Sequence, residues 1–319
     1  AFNAPISGTI FVLEEMHKTF NPLILVPSLI AAVVADFISK RVFGLQPVFS
    51  MTAQNALPLE NYSMVIVLAV LVGLLGVLFN TGLLAGQKLY SKSGLPKNLH
   101  PFIPFILSII LVFTFRDILG GGHALIEGLV KGNSSLTFLL LLLIAKLLFT
   151  IISFDSGVQG GIFLPILVMG GILGLACYKG FLGLGLLEAQ YLDNFIILAM
   201  AAMLSSVVRS PILSIVLVTE MTVSFSHILS LCLVSIVAYL VAELCHCRPV
   251  YESLLERILR HEVNLNESSL REKVIELFLV PVDSPLIDMS LKEIGIPVGC
   301  LVLSVERNGE ELIPNGDTT

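Results

Sequence analysis

The stretch Phe154-Asp155-Ser156-Gly157-Val158-Gln159-Gly160-Gly161-Ile162-Phe163-Leu164-Pro165 decides how this chain is read. It is a polar, glycine-dense loop between two strongly apolar windows, and it opens directly into a helix with Pro165 in its first turn. Glycines let a backbone turn tightly and aim successive N–H groups at one spot. The first amides of a helix lack a carbonyl partner one turn earlier, and the macrodipole adds about half a positive charge there. Inside a membrane, such a turn makes an anion site without any cationic side chain. The same residues also suit a glycine-rich turn at which helices pack, and the residues alone leave both readings open.

The membrane setting follows from composition. The chain has 319 residues, of which 55% are hydrophobic and only 13% charged, with a mean hydropathy of +0.94. Soluble domains are about a quarter charged. A soluble fold with this composition would expose large apolar surfaces and aggregate. A polytopic membrane protein is therefore predicted, and nucleic-acid binding, a secreted disulfide scaffold and disorder are excluded. Tryptophan is absent, so an interfacial aromatic belt has to rest on six Tyr and nineteen Phe. From Glu262 onward the chain carries eleven acids against four bases, a net charge of −7, while the whole chain carries −6. Residues 1–261 are thus close to neutral at +1, and the acidic tail is predicted to sit in water.

Eight apolar windows flank or follow the central loop: Leu23–Ile38, Met64–Ala85, Phe102–Phe115, Leu136–Ile152, Ile162–Ala176, Phe195–Val208, Ile212–Val223 and Ile228–Val241. A simple spanning helix needs about 20 apolar residues. Several windows are shorter and interrupted by Gly or Pro, as expected of helices that enter a bilayer part-way and stop. Irregular backbone at that depth survives only where protein or a water-filled cavity covers it, and transporters place ion sites there. An internal echo adds to this. Pro5 to Glu14 can be laid over Pro211 to Glu220, with the same Pro-to-Glu spacing, an apolar run between, and Met16 or Met221 just after. Two repeated halves are expected, the first mostly missing, so the chain reads as a fragment.

Gly160-Gly161-Ile162-Phe163-Leu164-Pro165 resembles the anion-binding motif of the CLC family of chloride channels and proton-coupled chloride transporters. Ala1-Phe2-Asn3-Ala4-Pro5 with Phe11-Val12-Leu13-Glu14-Glu15-Met16 is similar to that family's segment leading to its intracellular proton glutamate. Arg209-Ser210-Pro211 with Leu217-Val218-Thr219-Glu220-Met221-Thr222 resembles the matching helix of the second half, and Pro249-Val250-Tyr251 the pore tyrosine. Gly120-Gly121-Gly122-His123 falls where the family has a glycine-rich loop. The resemblance implies an inverted repeat of many short, tilted and broken helices over residues 1–261, in an all-α membrane domain. It implies that Gly160, Gly161 and the amides of Ile162 and Phe163 bind the anion, with the Tyr251 hydroxyl donating to it. A phenol contributes a hydrogen bond without a charge that would trap the ion. Read without the motif, Tyr251 is an interfacial aromatic.

Carboxylates at the end of an apolar helix commonly mark the water boundary. In a transporter, a glutamate in partly apolar surroundings can also carry a proton at neutral pH. The resemblance places the proton acceptor at Glu15, with Glu14 a pathway-lining or structural neighbour. Channel-type members have a non-ionisable residue there, so chloride/proton antiport is favoured, with a passive chloride channel as the alternative and a ligand-regulated cation transporter a more distant one. Two features depart from the family pattern. Gln159 stands where proline usually precedes the glycine pair, and Asp155 would repel chloride unless it faces water or pairs with a cation such as Lys146. The family's external gating glutamate and first-half serine loop are expected upstream of Ala1.

After a linker over 262–273, residues 274–319 change period. Glu276–Pro281 reads as a strand, Ser290–Ile294 as a short helical turn and Gly299–Arg307 as a second strand ending in an Asn308-Gly309 hairpin turn. This region resembles the RCK/TrkA C-terminal regulatory domain, a small α/β module. The resemblance implies a small-molecule or nucleotide ligand, although an inert dimerisation cap fits equally. The cysteines are odd in number and suggest no disulfide framework. Cys245-His246-Cys247 lacks a second ligand pair at zinc spacing, so it reads as a membrane edge rather than a metal site. The six histidines are scattered, and no enzyme, cofactor or metal is expected. Lys88, Lys92 and Lys97 in one loop, with Arg248, Arg257 and Arg260 near the last helix, predict the cytoplasmic side and hence a cytoplasmic tail. The expected whole is a homodimer in the plasma membrane of a bacterium, moving chloride and protons.

Overall fold

The computed structural model describes residues 4–44, 57–122, 125–126, 128–129, 134–158, 160–222 and 227–255, and, toward the C-terminus, 280, 284, 286, 289–296, 301–307 and 310–318. The chain separates into two units, Ala1–Leu259 and Arg260–Thr319.

Unit one is helical: α1 (Pro5–Ile10), running on into a π-helical turn Phe11–Met16, then α2 (Pro22–Phe43), α3 (Tyr62–Lys92), α4 (Phe102–Thr114), α5 (Leu136–Asp155), α6 (Phe163–Gly183), α7 (Leu192–Val208), α8 (Pro211–Thr222) and α9 (Ile228–Leu244). Residues 250–255 are also helical. Each of the eight predicted apolar windows overlaps one of these helices. Six of the described helices are long and apolar enough to cross a membrane, while α8 and α9 are shorter apolar helices. Local chemistry sets the ends. Asn21 Oδ1 accepts from the amide of Leu23 at 2.9 Å to start α2 with Pro22 in its first turn, and Ser135 accepts from Phe138 to start α5.

The centre is α7, whose span is 89% buried. It is wrapped by α3, α6 and α9. Against α6 the backbones nearly touch: a Cβ on Gly170 would lie 2.6 Å from the Ala199 carbonyl oxygen, and one on Gly174 would lie 2.5 Å from that of Phe195. Glycines four residues apart give this close crossing, as expected where lipid supplies no hydrophobic drive between helices. By contrast, α2 and α4 bury no residue.

In unit two, β1 (Val305–Arg307) pairs antiparallel with β2 (Glu310–Leu312), Val305 opposite Leu312 and Arg307 opposite Glu310. The Asn308-Gly309 turn predicted between them lies outside the described residues, as do most of the predicted 276–281 strand and the linker. The predicted strand from Gly299 is shorter than expected, since 301–304 are irregular. At the predicted helical turn, the backbone N–H and hydroxyl of Ser290 both donate to Glu293 Oε2 at 2.9 Å, so the Glu293 carboxylate reaches back over the turn as in one half of a capping box. These bonds hold the Glu293 carboxyl below the usual carboxylate range. Lys292 Nζ reaches Asp317 at 2.6 Å and ties the turn to the C-terminal residues.

Candidate ion-transport site

The α5–α6 loop ends at Ile162, which is buried, and Phe163 begins α6. Gly157 has φ +85°, the left-handed region that glycine enters at no cost. A Cβ on Gly160 or Gly161 would meet nothing within 4 Å among the described residues. Tight packing is thus not what calls for glycine there, unlike at Gly170 and Gly174.

Phe163 at the start of α6 faces a cavity of about 370 Å³. Tyr251 lines the same cavity, together with Ser7 and Phe11 of the first broken helix, Leu213 of α8 and Asp36 of α2. Phe11 meets the Tyr251 ring edge-on, centroids 6.1 Å apart and planes at 81°, which fixes the phenol. The starts of α1, α6 and α8 therefore converge on one chamber with Tyr251. Of the residues predicted to hold the anion, Phe163 and Tyr251 line this chamber, while Gly160, Gly161 and Ile162 form the strand of chain leading up to it.

Glu14 and Glu15 lie on a second cavity of about 330 Å³, shared with Lys18, Arg209, Glu243 and Glu252. The two carboxylates do different things. Glu14 accepts from the amides of Ile212 (3.1 Å) and Leu213 (2.6 Å) at the start of α8. Glu15 accepts from the Ser210 hydroxyl at 2.8 Å. Lys18 pairs with Glu252, and Arg209 with Glu243 at 3.0 Å. Arg209 also donates to the carbonyls of Tyr239 and Cys247, from a left-handed backbone at φ +72° that closes α7. The Glu15 charge acts on the Tyr251 phenol, so the two cavities are electrostatically in touch.

Glu14 has a counterpart. Glu220 accepts from the amides of Ile6 (3.1 Å) and Ser7 (2.8 Å) and from the Ser7 hydroxyl. In the Pro5/Pro211 overlay, Ile6 and Ser7 correspond to Ile212 and Leu213, and Glu14 to Glu220. Each glutamate thus holds the opposite helix's first amides, where negative charge is stabilising, and the echo in the sequence is a two-fold clasp in space. Glu220, Ser210 and the Lys18–Glu252 and Arg209–Glu243 pairs were not among the expected site residues.

Of the two ways in which Asp155 could avoid repelling an anion, pairing with Lys146 is not the one seen. Lys146 Nζ donates to the carbonyls of Ile118 and Gly120, both at 2.7 Å. Asp155 is buried and turns toward α3, where a Cβ on Gly86 would overlap its Oδ2. Nine residues make two and a half helical turns, which sets the two side chains on opposite faces of α5. His123 and Gln159 lie outside the described residues.

Apolar helices long enough to cross a membrane, packed around broken helices whose starts meet at one chamber, define the class as a multi-pass membrane protein. The sequence profile of the family described as voltage gated chloride channel matches residues 1–243, and that of the TrkA-C domain matches 275–319. The chain is 32% identical over 276 residues to the H(+)/Cl(−) exchange transporter ClcA of Vibrio cholerae, covering 82% of this chain and 57% of that protein. It is 34% identical over 267 residues to ClcA of Klebsiella pneumoniae, covering 81% and 56%. Among solved structures, a slow cyanobacterial Cl−/H+ antiporter superposes with a TM-score of 0.74 at 31% identity, covering 82% of this chain and 62% of that one. A CLC-type fluoride/proton antiporter shares the fold at a TM-score of 0.64 and 22% identity, covering 76% and 59%. The chain belongs to the voltage gated chloride channel family and carries a TrkA-C domain at its C-terminus. It spans a little over half the length of the curated relatives it matches.

Proposed function

We propose that the whole protein exchanges chloride for protons across a bacterial plasma membrane, as a homodimer with one pore per subunit and its TrkA-C domain in the cytoplasm. The anion is held by Gly160, Gly161 and the amides of Ile162 and Phe163, with the Tyr251 hydroxyl donating to it. Glu15 is the internal proton acceptor, and Glu14 shares its cavity while fixing the start of α8. No cofactor beyond the two ions takes part, and the TrkA-C domain takes a small-molecule or nucleotide ligand. The observation that carries the reading is the shared chamber of Phe163 and Tyr251, beside a separate charged cavity that holds Glu15. An uncharged donor set binds a halide without trapping it, and an ionisable group on its own aqueous cavity can load and unload protons. The exchangers and antiporters among the relatives favour coupled transport over passive conduction.

The test is flux in liposomes reconstituted with the full-length protein. A chloride gradient should drive proton movement, and Glu15→Gln should abolish the proton flux while chloride still moves. Wild-type chloride flux with no proton movement would favour a passive channel. Cation flux with halides excluded would overturn the reading.

A further inference from the structure

Glu15 sits among many charges, but only one direct side-chain bond to its carboxylate is seen among the described residues, and that comes from Ser210. The hydroxyl is 1% exposed at the residue level and lies 2.8 Å from Glu15 Oε2, across 195 residues of chain. Its position is fixed on both sides. Arg209 before it is pinned in the left-handed region by bonds to Glu243 and to the carbonyls of Tyr239 and Cys247. After it, Pro211 begins α8, and Ser210 O accepts from both the amide (3.1 Å) and the hydroxyl (2.8 Å) of Ser214. Glu14, the neighbour of Glu15, grips the next two amides of that helix. Two adjacent glutamates therefore engage Ser210, Ile212 and Leu213 on either side of Pro211 at the α8 start, and the clasp made by Glu14 delivers the Ser210 hydroxyl to Glu15.

We propose that Ser210 is a positioning residue for proton transfer: its hydroxyl holds the Glu15 carboxylate in one orientation at the wall of the charged cavity and sets the pH at which that group takes up its proton. A hydroxyl that donates to a carboxylate stabilises the ionised form, so Ser210 makes Glu15 release protons more readily than its partial burial alone would allow. The other groups facing Glu15 are Glu14 on the same turn, Lys18 just after it, Arg209 beside Ser210, Tyr239 and Glu243 on α9, and Tyr251 and Glu252 on the 250–255 helix. Lys18 and Arg209 each already have an acidic partner, Glu252 and Glu243. That leaves the neutral hydroxyl as the direct hydrogen-bond donor that titration of those partners does not remove.

This inference rests on the assignment of Glu15 as proton acceptor, and the experiment separates the two. Chloride-driven proton flux of the full-length protein in liposomes is measured against pH on the Glu15 side for wild type, Ser210→Ala, Ser210→Thr and Glu15→Gln. Loss of the donor removes support for the ionised form, so in Ser210→Ala the midpoint of proton flux should move to higher pH by about one unit. Ser210→Thr, which keeps the hydroxyl, should restore the wild-type midpoint. An unmoved midpoint in Ser210→Ala, or an equal shift in Ser210→Thr, overturns the role of Ser210 while leaving Glu15 intact. Undiminished proton flux in Glu15→Gln instead removes the assignment beneath it. Should Ser210→Ala not yield folded protein, Ser210→Cys offers a far weaker donor of similar size, and an unshifted midpoint there would count equally against the proposal.

Discussion

At the scale of single residues, the chamber separates the contribution of a ring from that of a hydroxyl. The Tyr251 ring is held edge-on by Phe11, so Tyr251→Phe keeps the packing and removes only the donor. A hydrogen bond to an anion is worth about 1.5–3 kcal/mol, and halide affinity should therefore fall about tenfold or more. Calorimetric titration of the purified full-length protein with chloride reads this directly, and an unchanged affinity would take Tyr251 out of the anion site. The buried charges show why residue-level inference from sequence has a limited reach. Lys146 and Asp155 are close in sequence and opposite in sign, which invites pairing, yet the helix turns them apart and each is handled separately. Lys146 has two carbonyls, and the room for Asp155 comes from the missing Cβ of Gly86. A residue's partner across a helix bundle is decided by which face it occupies, and that is readable from spacing once a helix is assigned.

At the scale of elements, the clasp between α1 and α8 makes two helix starts depend on two glutamates. Removing either carboxylate strips acceptors from two helix-start amides, so Glu14→Ala and Glu220→Ala should each lower stability by about 1–2 kcal/mol. The near-symmetric bonding further predicts that the two losses are similar. Denaturant unfolding in detergent micelles measures both, and a loss confined to one of them would show that the symmetry is geometric only. The apolar windows were legible because each is a run of consecutive residues, and the Pro-to-Glu echo was legible because its spacing repeats. What the echo meant was not legible. Glu220 bonds to Ile6 and Ser7 across more than two hundred residues, and nothing in either segment says that the two helices cross with each glutamate at the other's start. The role of Ser210 within the Arg209-Ser210-Pro211 segment was hidden for the same reason, since a serine before a proline reads locally as a turn or cap. The glycine motif stood out because its chemistry is carried by neighbours in the chain. In the tail, Ser290-Leu291-Lys292-Glu293 likewise closes within four residues, and the turn predicted there is present.

At the scale of the whole membrane domain, the direction of the helices carries the argument about sidedness. Tyr62 at the start of α3 meets Ser230 at the start of α9 (3.1 Å), and Asn80 further along α3 meets the Arg248 carbonyl just past α9 (3.3 Å). Both contacts join residues 168 apart, so α3 and α9 run side by side in the same direction. Lys88 and Lys92 follow Asn80 along α3 at 1.5 Å per residue, which brings them to the end of the bundle where Arg248 lies. Lys88 and Lys92 are thus gathered with Arg248 at one end of the bundle, the end that the proposed function places in the cytoplasm. The exposed thiol of Cys245 lies between α9 and Arg248 at that same end, so it can report the orientation. In right-side-out vesicles with Cys247 and Cys300 replaced by Ser, a membrane-impermeant maleimide should leave Cys245 unlabelled, and in inside-out vesicles it should label it. Cys245→Ser in the same background should remove the signal, which keeps the half-buried Cys177 and Cys232 from being mistaken for it. Labelling in the right-side-out vesicles instead would invert the domain, place the Glu15 cavity on the outer side and reverse the direction in which protons are delivered.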